Sequence, residues 1–255
     1  MTQIRIIDTH CHLENAAFTE DLEGVISRAA NNGIYIISSS IEKDTWLRGL
    51  EIAGKHLTVY ASIGLDPSNY RIVDSALECI RKNHENLVAV GETGLDHFIV
   101  RDHDERDDQE IAFRKMISIA QEFDLPIQIH SRSAGAKALQ VLESCDIDDV
   151  HMHAFDGKAS LARQYSKDLG YYYSIPTSVV HSPQKRKLVK AVDIDHLLLE
   201  TDSPVLGPEK GERNEPAHIC IALQEVALIL KRDSEELREI ILENTLRLYR
   251  RIRPD

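Results

Sequence analysis

The segment Ile4-Arg5-Ile6-Ile7-Asp8-Thr9-His10-Cys11-His12 carries the reading of the fold. Its apolar start reads as a β-strand. That strand runs directly into an acid and two histidines rather than into the glycine-rich turn that opens a dinucleotide-binding sheet. His10 and His12 are two residues apart, so their side chains point the same way at the strand's carboxyl end, where barrel enzymes place their sites. One metal ion can take both. Two satisfied or surface histidines would leave the same signature, so the pair needs support from the rest of the chain.

Outward from this segment, short apolar runs recur at residues 4–7, 34–37, 58–63, 87–90, 126–129, 149–151, 171–174 and 196–199, eight in all. Amphipathic stretches at 18–31, 43–54, 73–83, 108–123, 134–144, 158–168, 182–191 and 215–231 separate or follow them; Ala112, Met116, Ile119 and Ala120, for instance, fall on one helical face. This alternation predicts a parallel sheet covered by helices. An added C-terminal helix is expected over 234–249, with Asp233 as N-cap and Glu236 at the capping-box position. A length of 255 residues suits an α/β fold of the (β/α)8 TIM-barrel type, and the chain shows no repeat, low-complexity tract or linker, so a single domain over 1–255 is expected. A doubly wound open sheet uses the same alternation but normally has fewer strands, and the opening segment favours the barrel.

Composition narrows the function classes. The hydrophobic share of 42% is ordinary for a globular chain, and the longest apolar candidate, 219–230, is interrupted by Gln224 and Glu225, which argues against a membrane span. Asp8 and His10 stand where an export signal needs its apolar region, so a cytoplasmic location is expected. The four cysteines, Cys11, Cys79, Cys145 and Cys220, are far apart and are read as reduced thiols. A net charge of −12 argues against unselective binding along a duplex, so any nucleic-acid contact is expected to be local. Oligomeric state is not legible.

The other strand ends reinforce the first. The fourth apolar run exits into Gly91-Glu92-Thr93-Gly94-Leu95-Asp96, the fifth into His130-Ser131-Arg132, the sixth into His151-Met152-His153 and the eighth into Glu200-Thr201-Asp202-Ser203-Pro204. Caps and solvated loops account for single acids or histidines after strands, but not easily for convergence on one rim. Four histidines and two carboxylates suffice for two divalent ions, since each needs three or four protein ligands and a carboxylate can bridge. His10, His12 and Asp202 are assigned to one ion, His130 and His153 to the other, with Glu92 between them. Imidazole-rich ligation favours zinc, with manganese, iron, cobalt or magnesium as alternatives.

Taken together, these segments resemble the TatD-type hydrolases of the amidohydrolase superfamily. The matching pieces are 8–12, 91–96, 130–132, 153–157, 200–204, Arg213-Asn214-Glu215-Pro216 and Glu243-Asn244-Thr245, in the family's order across nearly the whole chain. The resemblance implies a TIM barrel, a binuclear metal centre and metal-dependent hydrolysis, with deoxyribonuclease or 3′ exonuclease activity in several relatives. It also implies that Asp202 is both a ligand and the acceptor of the attacking water's proton, with Glu92 beside it in the catalytic centre. One departure stands out: relatives carry a Gly-x-His-Pro turn after the third strand, where this chain reads Gly64-Leu65-Asp66-Pro67.

Among the remaining residues, Arg132 is a candidate substrate-binding fork for a phosphate or carboxylate, with pairing to a nearby acid as the alternative. Asp96 is expected to order its loop or support a ligand, His151 to face a metal-free position or the barrel interior, and His97, His103 and His181 to lie exposed in loops above the site. The tyrosines 171–173 are read as strand residues facing alternately in and out. Ser131 and Cys11 each adjoin a histidine, but neighbouring strand residues face opposite ways, so neither is aimed as a nucleophile. The expected reaction is attack by water on a phosphodiester at a nucleic-acid end or a short single strand. The alternatives are an amide or ester hydrolase, including one acting on aminoacyl-tRNA esters, and a metal-binding regulatory barrel without turnover.

Overall fold

The computed structural model describes residues 4–253. Eight parallel strands follow the chain order around one sheet: β1 (Ile6–Cys11), β2 (Ile34–Ser40), β3 (Val59–Ile63), β4 (Leu87–Gly94), β5 (Ile127–His130), β6 (Val150–Met152), β7 (Tyr172–Ile175) and β8 (Leu197–Leu199). The last strand returns to the first. Asp202 N–H donates to His10 O at 2.9 Å and His12 N–H to Ser203 O at 2.8 Å, so the chain just past β8 closes the barrel. Asp8 adds a side-chain clasp, accepting from Thr201 N at 2.8 Å and Thr201 Oγ1 at 2.5 Å.

Helices α1 (Leu22–Asn31), α2 (Trp46–Lys55), α3 (Val73–Asn83), α4 (His103–Glu122), α5 (Gly135–Ser144), α6 (Ala159–Asp168), α7 (Pro183–Val189) and α8 (Ile219–Leu230) wrap the sheet, and α9 (Ser234–Leu248) follows. The (β/α)8 barrel with its additional C-terminal helix is therefore present. Asp233 caps α9 as read from the sequence, accepting from Glu235 N and Glu236 N. Several helix boundaries need correction: α1 begins at Leu22 rather than 18, after a 3-10 turn over Ala16–Phe18, and α2 at Trp46 rather than 43. Helix α4 starts at His103 rather than 108, because Asp102 Oδ1 accepts from the amides of Asp104 and Glu105 and fixes the charged stretch as a helical first turn. The segment read as helix from 215 opens with a 3-10 turn, Pro216–His218, before α8 begins.

Strands β1, β2 and β4 also run further than their apolar cores. Ser38, Ser39 and Glu92 are polar yet buried because the barrel supplies partners that the sequence pattern does not reveal, Glu14 for Ser38, Gln128 for Ser39 and His10 for Glu92; Ser40 and Thr93 are buried beside them. Outward-facing strand residues such as Ile36, Ile127, Ile129, Val150, Met152, Leu197 and Leu199 share the main core with the helices. Inside the barrel the side chains stack in layers. The floor is apolar: Ile7, Ile37, Val88, Tyr172 and Leu198 meet Leu248, Tyr249 and Ile252 from the chain's end. Above it lie the buried polar residues Ser39, Gln128, His151 and Ser174. Tyr171 and Tyr173 pack in the outer core while Tyr172 joins the floor, the alternation read from the sequence. The four cysteines are free, and among the described residues no helix is long and apolar enough to cross a membrane.

Candidate metal centre

The top layer of the barrel holds His10, His12, Glu92, His130, His153 and Asp202. Irregularities in the sheet help aim them. The β1–β2 register shifts between Asp8 and Cys11, which lets both Ile7 and His10 face inward although they are three residues apart. A second shift, between Val90 and Thr93, accompanies Glu92. At Gly94, with φ of 144°, an added Cβ would run into the carbonyl oxygen of His130. At Gly64 it would run into that of Glu92. Glycine is thus required where neighbouring strands close over the ligand positions.

Glu92 sits at the centre, and its two oxygens face different pairs of imidazoles. Oε2 lies 2.8 Å from His10 Nε2 and 3.4 Å from His12 Nε2. Oε1 lies 2.9 Å from His130 Nδ1 and 3.7 Å from His153 Nε2. Asp202 Oδ1 stands 3.4 Å from His12 Nε2 and 3.8 Å from His10 Nε2. Asp202 adopts φ of 54°, a left-handed conformation that aspartate tolerates, and its bond to His10 O holds it there.

Each imidazole is anchored through the nitrogen that points away from Glu92. His10 Nδ1 meets Gln128 Oε1 at 3.0 Å, His12 Nδ1 meets Ser39 O at 2.8 Å, His130 Nε2 meets Asp96 Oδ2 at 3.0 Å, and His153 Nδ1 meets Glu200 Oε2 at 3.3 Å. With those nitrogens protonated as donors, the inward nitrogens keep their lone pairs. This is the arrangement that metal-ligating histidines need. Two compact groups lie within ligating reach, His10 with Glu92 and His153, and His10 with His12 and Asp202. His10 is common to both groups and His130 belongs to neither, and these imidazole and carboxylate donors are of the types that divalent ions take.

A buried chain of hydrogen bonds connects two of these anchors. Gln128 Nε2 spends its hydrogens on Thr9 O and Tyr249 Oη, both at 2.9 Å. Tyr249 must therefore donate its own proton to His151 Nδ1, 2.6 Å away. His151 Nε2 then donates to Ser174 Oγ and Ser174 to Glu200 Oε2, both at 2.7 Å. Every direction is fixed, from the anchor of His10 to the anchor of His153. His151 is neutral in this chain, since burial pushes its pKa down to about 3.

The electrostatics follow from one carboxylate among imidazoles. Burial disfavours a charged Glu92, but His153, His10, His12 and His130 together hold it well below the usual carboxylate range. Burial likewise opposes a charged His130, yet its bonds to Asp96 and Glu92 lift it to about 10. His10 and His12 are raised for the same reason, against the cost of burial, whereas burial pushes His153 down to about 3. Asp8, below the site, is pushed up to about 7 by burial. Protons and metal ions compete for the same inward nitrogens.

The ligand set opens into a cavity of about 530 Å³ whose wall includes Arg132, Asp156 and Lys185. Arg132 is exposed and forms no ion pair among the described residues; its guanidinium lies 3.9 Å from the centre of the Phe98 ring. The alternative of a paired acid is thus absent there. Asp96 plays the supporting role read for it, also accepting from Phe98 N and Ile99 N at 2.9 Å. Asp66, in place of the relatives' histidine, caps a 3-10 turn by accepting from Ser68 N at 2.7 Å. His97, His103 and His181 do not line this cavity. His97 is half-buried and His103 is helical rather than in a loop.

Sequence reasoning gave no role to Gln128, Ser174, Glu200, Tyr249 or Lys185. Glu200 had a signal, its place in the strand-end motif. The others had none, because buried partners of ligands look like ordinary strand or helix residues until the barrel closes.

A family model described as TatD related DNase matches residues 7–250. An uncharacterized metal-dependent hydrolase of Methanocaldococcus jannaschii is 33% identical over 255 residues, covering 98% of this chain and 99% of the relative. Human deoxyribonuclease TATDN3 is 33% identical over 265 residues, covering 98% and 96%. Among solved structures, the Escherichia coli TatD homologue YjjV superposes with a TM-score of 0.88 at 27% identity, covering 96% of this chain and 98% of that one.

Proposed function

The chain belongs to the family of TatD-related DNases and is a metal-dependent hydrolase, and from that premise we propose that it hydrolyses phosphodiester bonds at a nucleic-acid end, as a 3′ exonuclease does. The observation that carries this reading is the division of Glu92 between two pairs of inward-facing imidazoles, with Asp202 beside one pair. When bound there, two divalent ions, zinc foremost, supply Lewis acidity and make water a competent nucleophile near neutral pH. His10, His12, His130 and His153 would hold them with Glu92 and Asp202.

The protein's own groups account for the remaining steps. Asp202 lines the cavity, its Oδ1 3.4 Å from His12 Nε2, and takes the proton of the attacking water. The water oxygen forms a bond to phosphorus, the bond to the leaving sugar oxygen breaks, and that alkoxide is protonated from solvent. Arg132 offers a planar fork to a phosphate at the cavity's edge. A net charge of −12 leaves no broad cationic track for a duplex, so affinity is concentrated at the centre, and a strand end or short single strand is the fitting substrate.

The test compares three substrates on zinc- or manganese-loaded protein: oligonucleotides, a neutral ester and an amide. Oligonucleotides shortened from the 3′ end, with mild salt dependence, are expected. Arg132→Ala should reduce phosphodiester cleavage more than ester cleavage. Intact oligonucleotides alongside hydrolysis of an amide or aminoacyl ester would overturn the nuclease reading.

A further inference from the structure

Helix α7 begins with three consecutive cations after Pro183 and Gln184: Lys185, Arg186 and Lys187. Two of them behave as surface residues. Arg186 and Lys187 are exposed, and Arg186 pairs with Glu225 on α8. Lys185 points the other way and is only 7% exposed. Its ammonium reaches the carbonyl oxygens of Ala154 at 2.6 Å and Phe155 at 2.8 Å. No carboxylate pairs with it among the described residues.

That is an unusual position for a lysine. An ammonium withdrawn from water needs an anion, and two neutral carbonyls orient the charge without neutralising it. Lys185 has three N–H donors, so one finds no acceptor among the described residues. The residue forms part of the wall of the metal-centre cavity, with His153, Asp202 and Arg132.

Fastening the loop after β6 does not by itself explain the lysine. Gln184 Nε2 already donates to Phe155 O and Gly157 O, both at 3.1 Å, so the same loop is held by an uncharged neighbour. What Lys185 adds is charge inside the cavity.

We propose that Lys185 is an anion-binding residue of the active site, whose ammonium takes a phosphoryl oxyanion of the substrate, on the wall shared with Arg132. The proposal rests on the phosphodiesterase reading for the identity of the anion. Its geometric basis, a buried cation with no carboxylate at ion-pair distance among the described residues and with Asp156 and Asp202 only elsewhere in the same cavity wall, stands apart from that reading. A compact ammonium with a spare donor suits a tetrahedral oxyanion, whereas the Arg132 fork suits a planar or bidentate partner.

The experiment uses the zinc-loaded full chain and two variants. Lys185→Met removes charge and donors; Lys185→Gln keeps two N–H donors for the loop carbonyls but no charge. Inorganic phosphate binding is measured by calorimetry, and kcat and KM are measured on bis(p-nitrophenyl) phosphate and on p-nitrophenyl acetate. Zinc content and melting midpoint check the fold. Both variants should keep their zinc, bind phosphate roughly tenfold to a hundredfold more weakly, and show the loss on the phosphodiester chiefly as a rise in KM. The ratio of phosphodiester to ester kcat/KM should fall.

Unchanged phosphate affinity in either zinc-containing variant overturns the proposal. Equal losses on both substrates, or recovery of phosphate binding in Lys185→Gln, would assign the residue to loop fastening and overturn it too. The two readings fail separately. Wild type that leaves the phosphodiester intact but binds phosphate in a Lys185-dependent way sinks the phosphodiesterase and keeps the anion site. Wild type that cleaves it while the variants bind phosphate normally does the reverse.

Discussion

Tyr249→Phe deletes one oxygen from the barrel interior and should reach the metal centre from the floor. Tyr249 is fully buried, and its hydroxyl accepts from Gln128 at 2.9 Å while donating to His151 at 2.6 Å. Phenylalanine leaves one Gln128 hydrogen without an acceptor and His151 Nδ1 without a donor. An orphaned buried group costs roughly 1–3 kcal/mol, so the two together should cost about 2–6 kcal/mol, toward the lower end because Gln128 keeps its bond to Thr9. For a chain of this length that corresponds to a fall in Tm of about 2–4 °C per kcal/mol. Gln128 also orients His10, and loss of such a supporting contact typically weakens metal affinity about 10–100-fold.

Tyr173→Phe is the internal control. Tyr173 is equally buried, but its hydroxyl has no hydrogen-bond partner among the described residues, so the same deletion should be neutral or stabilising. Urea midpoints and competitive chelator titration with zinc measure both effects. If the two variants lose equal stability, or Tyr249→Phe binds zinc as tightly as wild type, the one-way chain from Gln128 to Glu200 does not position the ligands.

Three further outcomes follow from the site and its surroundings. Glu92→Gln should leave less than one tightly held ion per chain, because the carboxylate faces both pairs of imidazoles; elemental analysis showing two ions would refute the bridging role. Metal uptake by chelated protein in weak buffer at about pH 8 should acidify the solution, since His130, held at about 10 despite burial, must release its proton to bind. For the same reason metal affinity should rise with pH through the neutral range, and a flat profile would contradict the assignment of His130. Asp66→Ala should lower stability by about 0.5–2 kcal/mol through loss of a cap while zinc content is retained, which calorimetry and elemental analysis can check.

The architecture was legible because its signals are local. Each apolar run marks a strand covered by helices, and each amphipathic stretch repeats with the period of a helix, so Leu197–Leu199 and Ala112–Met116 announce their elements without knowledge of their neighbours. The candidate ligands were legible for a related reason. In a barrel every strand ends on the same rim, so residues following different strands meet there whatever the details of packing. That is how His10, Glu92, His130, His153 and Asp202, spread over 193 positions, could be grouped.

Several features were decided only when the barrel closed. Polar residues such as Ser38 and Ser39 belong to a strand because Glu14 and Gln128, brought in by the fold, accept from their hydroxyls, and no hydrophobic period reports that. His10 finds Gln128 118 positions away, and Tyr249 reaches His151 from 98 positions along the chain. Lys185 and Lys187 are the same residue type on one short helix, yet one is buried beside the proposed centre and the other is solvated. Sequence fixes which side chains are available and the period at which they repeat. Burial, proton direction and the division of Glu92 between two pairs of histidines depend on distances between strands, and these exist only in the closed fold.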